Sequence, residues 1–121
     1  MTSRLKIIVA DDEEDIRQGF RRLLCKLGCE VVGEAADGRE LVELCRNSQP
    51  DLVITDIRMP EMSGIEAAQQ ITQTQAIPVI VISSYECPAD VDCGAVTAFL
   101  LKPVALPDLE AAIEKACPAA Q

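Results

Sequence analysis

The sequence predicts an α/β protein built on a doubly wound, five-stranded parallel sheet. Five short apolar segments recur along the 121 residues, and amphipathic segments separate most of them. The apolar segments lack the alternation typical of a half-exposed strand, which favours strands covered by helices on both faces. Right-handed crossovers then restrict the topology to an open, doubly wound sheet. The length fits one domain, which we expect to span residues 1–121 without an output domain.

The predicted strands are short and rich in Ile, Val and Leu. The third is apolar until its last residue, Asp56, and Pro78 introduces the fourth. Such runs, bounded by polar residues, glycine or proline, are typical of buried strands. The predicted strands are 5–10, 30–35, 51–56, 79–83 and 97–101.

Four segments are predicted to be helical because their apolar residues recur every three or four positions. The third has the clearest start, since Ser63 and Glu66 match a capping box. By contrast, 84–96 contains Pro88 and no sound apolar stripe, so we expect at most a turn or two of helix in a mobile loop. The helical segments are 14–28, ending at Gly28; 39–47, after the Asp37-Gly38 turn; 63 to about 74; and a last helix with Pro107 in its first turn.

Composition excludes several classes of function. A formal charge of −9 and only three aromatic residues argue against direct binding of DNA or RNA. Six cysteines without histidine or a C-x-x-C pair do not support a zinc site, and we expect reduced thiols. No secretory signal or membrane-spanning run is evident, so we expect a cytoplasmic protein without membrane contact.

Polar residues follow four of the predicted strands. Asp11 and Asp12 follow the first, Asp56 ends the third, Ser83 ends the fourth and Lys102 follows the fifth. Ligands of doubly wound sheets collect at this carboxyl edge. Clustered carboxylates suit Mg²⁺, and a nearby ammonium suits a phosphoryl group, for which a carboxylate can be the nucleophile. Each residue alone has a plainer interpretation, such as a helix cap or a solvated lysine; their joint placement favours a site.

The same residues carry a resemblance to a known family. The chain resembles the receiver domains of bacterial two-component response regulators over essentially its whole length. The matching segments are IIVADDEEDIR at 7–17, PDLVITDIRMPEMSGIE at 50–66, PVIVISSYE at 78–86 and FLLKPV at 99–104. The resemblance implies a flavodoxin-like strand order of 2-1-3-4-5. It also implies a signalling role rather than that of a dedicated enzyme.

The resemblance implies a role for each matching residue. Asp56 would accept a phosphoryl group from a sensor histidine kinase or phosphotransfer protein, catalysing its own modification and later hydrolysis. Mg²⁺ would be held by Asp56, Asp12, Asp11 acting mainly through water, and the backbone carbonyl of Arg58. Lys102 would pair with a phosphoryl oxygen. A downstream partner or output module would respond to the change.

The resemblance also implies a conformational switch. Ser83 would turn toward the phosphoryl group, and Phe99, where relatives more often have tyrosine, would turn into the vacated space. Tyr85 occupies a position that tunes access of water to the phosphoryl group. The Lys102–Pro103 bond would be cis. The segment 84–96 is shorter than is usual in the family, which puts the usual dimer mode and output face in question.

Three other interpretations differ in function. The chain could be a receiver-shaped interaction module that works without phosphate. A phosphatase acting through an aspartyl phosphate would need a second aspartate two residues after Asp56, where Arg58 stands. A nucleotide or flavin site is disfavoured, because 10–12 replaces the glycine-rich phosphate turn with Ala-Asp-Asp.

Overall fold

The structure, a computed structural model, describes residues 4–84 and 94–117. Strands and helices alternate through the fourth strand, and the second range continues with the fifth strand and the last helix, close to the predicted order. The elements in these two ranges are β1 (Lys6–Ala10), α1 (Glu14–Lys26), β2 (Glu30–Ala35), α2 (Gly38–Ser48), β3 (Leu52–Asp56), α3 (Gly64–Thr74), β4 (Val79–Ser83), β5 (Ala98–Leu101) and α4 (Leu106–Ala116).

The five strands form one parallel sheet in the order β2-β1-β3-β4-β5. This confirms the predicted fold class and strand order. Helices α1 and α4 pack on one face of the sheet, where Leu24 and Leu109 join the core. Helices α2 and α3 pack on the other face, with Leu41 and Ile71. The doubly covered strands explain why their sequences are continuously apolar.

Burial is greatest in the middle of the sheet. Strands β1, β3 and β4 are almost entirely buried, whereas the edge strands β2 and β5 are partly exposed. Within the described residues, the buried polar or charged side chains are Asp11, Thr55 and Ser83. All three lie at the carboxyl ends of the central strands. The interior is therefore apolar except along the edge where ligands of such sheets bind.

Helix boundaries follow local capping chemistry. Ser63 and Glu66 form the predicted capping box at the start of α3. Helix α1 ends at Lys26, two residues before the predicted end, and the chain reverses through Gly28, whose φ is +80°. Helix α4 begins at Leu106, so Pro107 lies in its first turn as predicted. Proline lacks a backbone N–H, and this costs no hydrogen bond in the first turn, because the N–H groups there have no partner within the helix.

The pairing of β1 with β2 contains a register shift. Ile7 pairs with Val31, but Ile8 pairs with Gly33, so β2 has one extra residue between them. Beyond the shift, Glu34 pairs with Val9. The shift changes which β2 side chains face α1.

Two predictions concern segments that the described residues cover only in part. The expected short or mobile helix after β4 falls mainly on 85–93, which lie outside the described residues. Of the six cysteines, Cys25, Cys29, Cys45 and Cys117 are free thiols, while Cys87 and Cys93 also lie outside. None of the helices in the described ranges is long and apolar enough to cross a membrane.

Candidate functional site

The carboxyl edge of the sheet brings together the residues that end four strands. Ala10 pairs with Thr55, so Asp11 and Asp56 follow on adjacent strands. The β4 and β5 pairing then places the end of β5 beside Ser83, whose carbonyl accepts a hydrogen bond from the Lys102 N–H at 2.8 Å. The fold therefore gathers Asp11, Asp56, Ser83 and Lys102 from distant parts of the chain.

Asp11 is held at each of its polar atoms. Its N–H donates to the Ala35 carbonyl at 3.0 Å, continuing the ladder between β1 and β2. Its Oδ1 accepts from the Glu13 N–H at 2.9 Å, and its Oδ2 lies 3.2 Å from Lys102 Nζ. The side chain thus organises the turn before α1 and faces the site, but it does not cap the helix, whose N-cap residue is Glu13. Asp11 is only 2% exposed, so its charge needs such partners.

The Asp56 side chain is less buried than that of Asp11. Its Oδ1 accepts from the Ile57 N–H at 2.7 Å, and its Oδ2 lies 3.4 Å from Lys102 Nζ. The side chain is 15% exposed, which leaves a path from solvent to the carboxylate. The backbone around it is tightly packed, because a Cβ on Gly64 would come within 1.9 Å of the Asp56 carbonyl oxygen. Gly64 also donates its N–H to Ile57 at 2.8 Å, which fixes the loop after Asp56.

Lys102 is the cation between the two carboxylates. Burial alone lowers the pKa of Lys102, but attraction to Asp11 and Asp56, together with their hydrogen bonds, outweighs burial and raises it. Its ammonium therefore stays charged throughout the neutral range. One positive charge facing Asp11, Asp12 and Asp56 leaves the pocket with an excess of negative charge.

Three carboxylates meet the geometric requirement for a cation site. Asp11, Asp12 and Asp56 each offer one oxygen, and these oxygens lie within 4.8 Å of one another. Hard carboxylate oxygens are the ligands that Mg²⁺ prefers, and the excess negative charge favours a divalent cation. Asp12 is exposed and Asp11 buried, so the cluster runs from the interior to solvent. These residues therefore fit Mg²⁺.

Arg58 lies beside this cluster. Arg58 and Asp12 line the same cleft of about 550 Å³, formed largely by the loop between β3 and α3. The Arg58 side chain is exposed. Arg58 thus shares a cleft with one member of the acidic cluster, and the role of its backbone carbonyl as a ligand stays a prediction.

The structure describes two of the three predicted switch residues, Ser83 and Phe99. Ser83 is buried at the end of β4, and Phe99 on β5 pairs with Val81 and packs partly buried against the α2–α3 side of the core. Tyr85 lies outside the described residues. The Lys102–Pro103 peptide bond is cis.

Two residues near the site were missed by the sequence analysis. Arg17 on α1 donates from Nη1 to the Asp11 carbonyl at 2.7 Å, and Glu34 on β2 accepts from Arg17 Nε at 3.1 Å. A charged residue between the apolar residues of β2, near its carboxyl end, was the available signal for Glu34. The partner of Arg17 is a backbone carbonyl, which leaves no mark in a sequence.

Comparison with known proteins identifies the family. The family model described as "Response regulator receiver domain" matches residues 7–114. The chain belongs to this family. Receiver domains are signalling domains of two-component systems, and the carboxyl-edge residues described above lie within the matched range.

Among the relatives, the transcriptional regulatory protein PdtaR of Mycobacterium tuberculosis is 41% identical over 115 residues, covering 92% of this chain and 56% of PdtaR. The chain thus spans little more than half the length of that relative. The response regulator domain of Thermotoga maritima CheB has a TM-score of 0.79 and 30% identity, covering 98% of this chain and 97% of the other.

A further structure contains ligands. The CheX-CheY-BeF3-Mg²⁺ complex from Borrelia burgdorferi has a chain with a TM-score of 0.83 and 27% identity to this one, covering 91% of this chain and 87% of the other.

Proposed function

We propose that this receiver accepts a phosphoryl group on Asp56 from a sensor histidine kinase or phosphotransfer protein, and that the modified form controls a downstream partner or output module. The placement of Lys102 Nζ, 3.2 Å from Asp11 and 3.4 Å from Asp56, carries the proposal. A single ammonium between a partly exposed carboxylate and a buried one is suited to stabilising an added anion.

The proposed transfer uses atoms available at the site. An Asp56 carboxylate oxygen attacks the phosphorus of a phosphohistidine, forming a P–O bond while the P–N bond breaks. The bonding electron pair leaves with the imidazole, which takes up a proton. Oδ1 is held by the Ile57 amide, and Oδ2 faces Lys102, so the nucleophile is oriented before the donor arrives. Hydrolysis by water would later return the carboxylate and inorganic phosphate.

Asp11, Asp12 and Asp56, with the backbone carbonyl of Arg58, are the proposed holders of Mg²⁺. When bound, the ion would neutralise charge on the transferring phosphoryl oxygens. Lys102 keeps its positive charge at neutral pH, because its pKa is raised, and lies 3.4 Å from Oδ2 of Asp56. The presence of Mg²⁺ and BeF3 in the complex that contains the similar CheY chain supports this assignment.

The proposed output begins at Ser83. A phosphoryl group adds roughly −1.5 to −2 charges, by analogy with phosphorylated hydroxyls, and its oxygens would attract the Ser83 hydroxyl. Phe99 lies two residues before Leu101, the β5 partner of Ser83, and lines a surface groove with α4 residues Asp108 and Lys115. Movement of Ser83 would thus bias Phe99 and the surface formed by β5 and α4. Tyr85 is proposed to slow the access of water.

The decisive experiment measures modification of Asp56. The purified chain is incubated with Mg²⁺ and acetyl phosphate, and intact mass and the modified residue are determined. Wild type should gain one phosphoryl group, Asp56→Asn should gain none, and Glu110→Gln, which removes an exposed carboxylate on α4, should match wild type. Titration with beryllofluoride, followed by amide NMR, should give shifts that Asp56→Asn abolishes.

Failure of wild type in both assays would overturn the proposal. An interaction module that works without phosphate would then be the better description. Modification that persists in Asp56→Asn would place the acceptor elsewhere and would also contradict it.

A further inference from the structure

Arg17 connects three elements around the turn that carries Asp11 and Asp12. Its Nη1 donates to the Asp11 carbonyl at 2.7 Å, and its Nε donates to Glu34 Oε1 at 3.1 Å. The Arg17 side chain is 16% exposed, so this is a partly buried contact rather than a solvated ion pair. One planar guanidinium therefore ties α1 to β2 and to the turn after β1.

Glu34 is itself fixed from a second side. Arg21, one turn further along α1, donates from Nη1 to Glu34 Oε2. The two carboxylate oxygens of Glu34 thus each accept from a different arginine. Because Glu34 also belongs to the β1–β2 ladder, it is a rigid anchor for the guanidinium of Arg17.

The carbonyl that Arg17 contacts lies in the peptide unit that joins Asp11 to Asp12. The Asp11 carbonyl and the Asp12 N–H belong to one planar peptide unit, so fixing the carbonyl direction also fixes the orientation of the bond leading into Asp12. Asp12 is exposed, so its backbone is the main restraint on the position of its Cβ. The contact made by Arg17 therefore restricts the directions from which the Asp12 carboxylate can reach the site shared with Asp11 and Asp56.

We propose that Arg17, anchored by Glu34, is a positioning residue for the carboxylates of this site and thereby sets their affinity for a divalent cation. This inference rests on the proposed function, because it concerns the same cation site. Partners that orient metal ligands typically change metal affinity by 10- to 100-fold when removed.

The plainer interpretation is that Arg17 is only part of an ion-pair network that stabilises α1. The two interpretations predict opposite signs for metal affinity. Removing a positive charge near three carboxylates strengthens cation binding through Coulomb attraction alone. Loss of positioning instead weakens binding. A weaker affinity after removal of this cation therefore cannot arise from charge.

The experiment measures the Mg²⁺ dissociation constant by calorimetry, with amide NMR shifts of Asp11 and Asp12 as a second readout. Arg17→Met removes both donors but keeps the length of the side chain. Arg21→Met is the matched control, because it removes the same charge and the other Glu34 contact without touching Asp11. Arg17→Lys keeps the charge but supplies a single donor centre, which cannot hold both partners in the same geometry.

Wild type should bind Mg²⁺, Arg21→Met should bind with equal or tighter affinity, and Arg17→Met should bind about tenfold more weakly. Arg17→Lys should also bind more weakly than wild type despite its retained charge. If Arg17→Met does not fold, as judged by circular dichroism, Arg17→Lys decides the question.

Equal or tighter binding by a folded Arg17→Met, or wild-type affinity in Arg17→Lys when Arg17→Met does not fold, would overturn the inference. Absence of Mg²⁺ binding by wild type would overturn both the inference and the cation site on which it rests. Normal Mg²⁺ binding without phosphorylation would contradict only the proposed function.

Discussion

Lys102 Nζ lies 3.4 Å from Asp56 Oδ2, although the two residues are 46 positions apart in the chain. The same ammonium lies 3.2 Å from Asp11, which is 91 positions away. Only the assembled parallel sheet brings these three residues together. Formation of the charged pocket is therefore coupled to complete folding, since no local segment contains more than part of it.

Replacing Lys102 should separate charge stabilisation from folding. Lys102→Met leaves Asp56 exposed but removes the cation that faces its carboxylate, so the rate of phosphorylation by acetyl phosphate should fall by about 100-fold. Rates are measured by intact mass at saturating Mg²⁺. Lys6→Met removes the same charge from an exposed residue at the start of β1, at the opposite edge of the sheet from the pocket, and should react at the wild-type rate. A Lys102→Met protein that reacts as fast as this control would contradict the role of Lys102.

Mg²⁺ should stabilise the folded chain through its carboxylates. At a concentration of 100 times the dissociation constant, binding adds about 2.7 kcal/mol to the free energy of unfolding. Asp12→Asn should weaken binding at least tenfold, so the same Mg²⁺ concentration should add at most about 1.4 kcal/mol. Urea unfolding with and without Mg²⁺ measures both values.

Without Mg²⁺, Asp12→Asn should be at least as stable as wild type, because it removes one of three neighbouring negative charges. Glu110→Gln, an exposed charge on α4, is the control and should keep the full response to Mg²⁺. A full response in Asp12→Asn as well would exclude that carboxylate as a ligand.

Two glycine-to-alanine substitutions should have opposite effects. In Gly64→Ala the new Cβ would meet the Asp56 carbonyl at 1.9 Å, which forces the backbone apart. We expect a loss of about 2–4 kcal/mol in the free energy of unfolding. Gly19 lies inside α1 with no atom within 4 Å of the added Cβ, so Gly19→Ala should gain about 0.5–1 kcal/mol. Chemical denaturation measures both, and a neutral Gly64→Ala would contradict the close approach.

Cys45 should make stability fall at alkaline pH. Burial raises the pKa of its thiol from 9.0 to about 12 in the folded chain. Between these values the unfolded chain releases the proton while the native chain keeps it. The free energy of unfolding therefore falls with rising pH, by up to about 1.4 kcal/mol per unit, and below pH 9 this thiol contributes no slope.

Cys45→Ala should reduce this slope while lowering stability by a roughly constant amount. The measurement is urea unfolding from pH 7 to pH 10.5 under reducing conditions. Burial also raises the pKa of Cys29. The pKa of Cys117 is raised by burial and by the nearby Asp51 and Cys29. Both thiols therefore also lower the free energy of unfolding as the pH rises. The difference between wild type and variant isolates Cys45, and identical slopes would show that its thiol ionises freely.

The central strands and the site edge were predictable from sequence for a physical reason. Strands β1, β3 and β4 are covered on both faces, so apolar residues run without interruption until a polar residue marks the end. Because parallel strands end at one edge, those polar residues converge. The start of α3 was predictable as well, since the capping box is encoded by Ser63 and Glu66.

Interactions with the backbone were not predictable in the same way. The Arg17 contact to Asp11 uses a carbonyl that every residue type possesses, so the sequence indicates neither the partner nor the direction. Gly28 ends α1 in the left-handed conformation, as predicted, but the last helical residue, Lys26, depends on backbone bonding by Leu27 and Gly28 that the sequence does not specify. The register of β2 depends on pairing with β1, which a segment of mixed character such as EVVGEA does not specify alone.

The extra residue in β2 has a consequence for how this protein can evolve. It leaves Val31 and Glu34, three positions apart, opposite Ile7 and Val9, which belong to the same side of the core. Regular pairing of the same residues from Val31 onward would instead place Gly33 opposite Val9 and turn Glu34 to the other face of the sheet, away from its arginines. The pairing register of this edge strand is thus tied to the acidic pocket through the Glu34–Arg17 contact, and descendants should tolerate substitutions in the strand far better than shifts of its register.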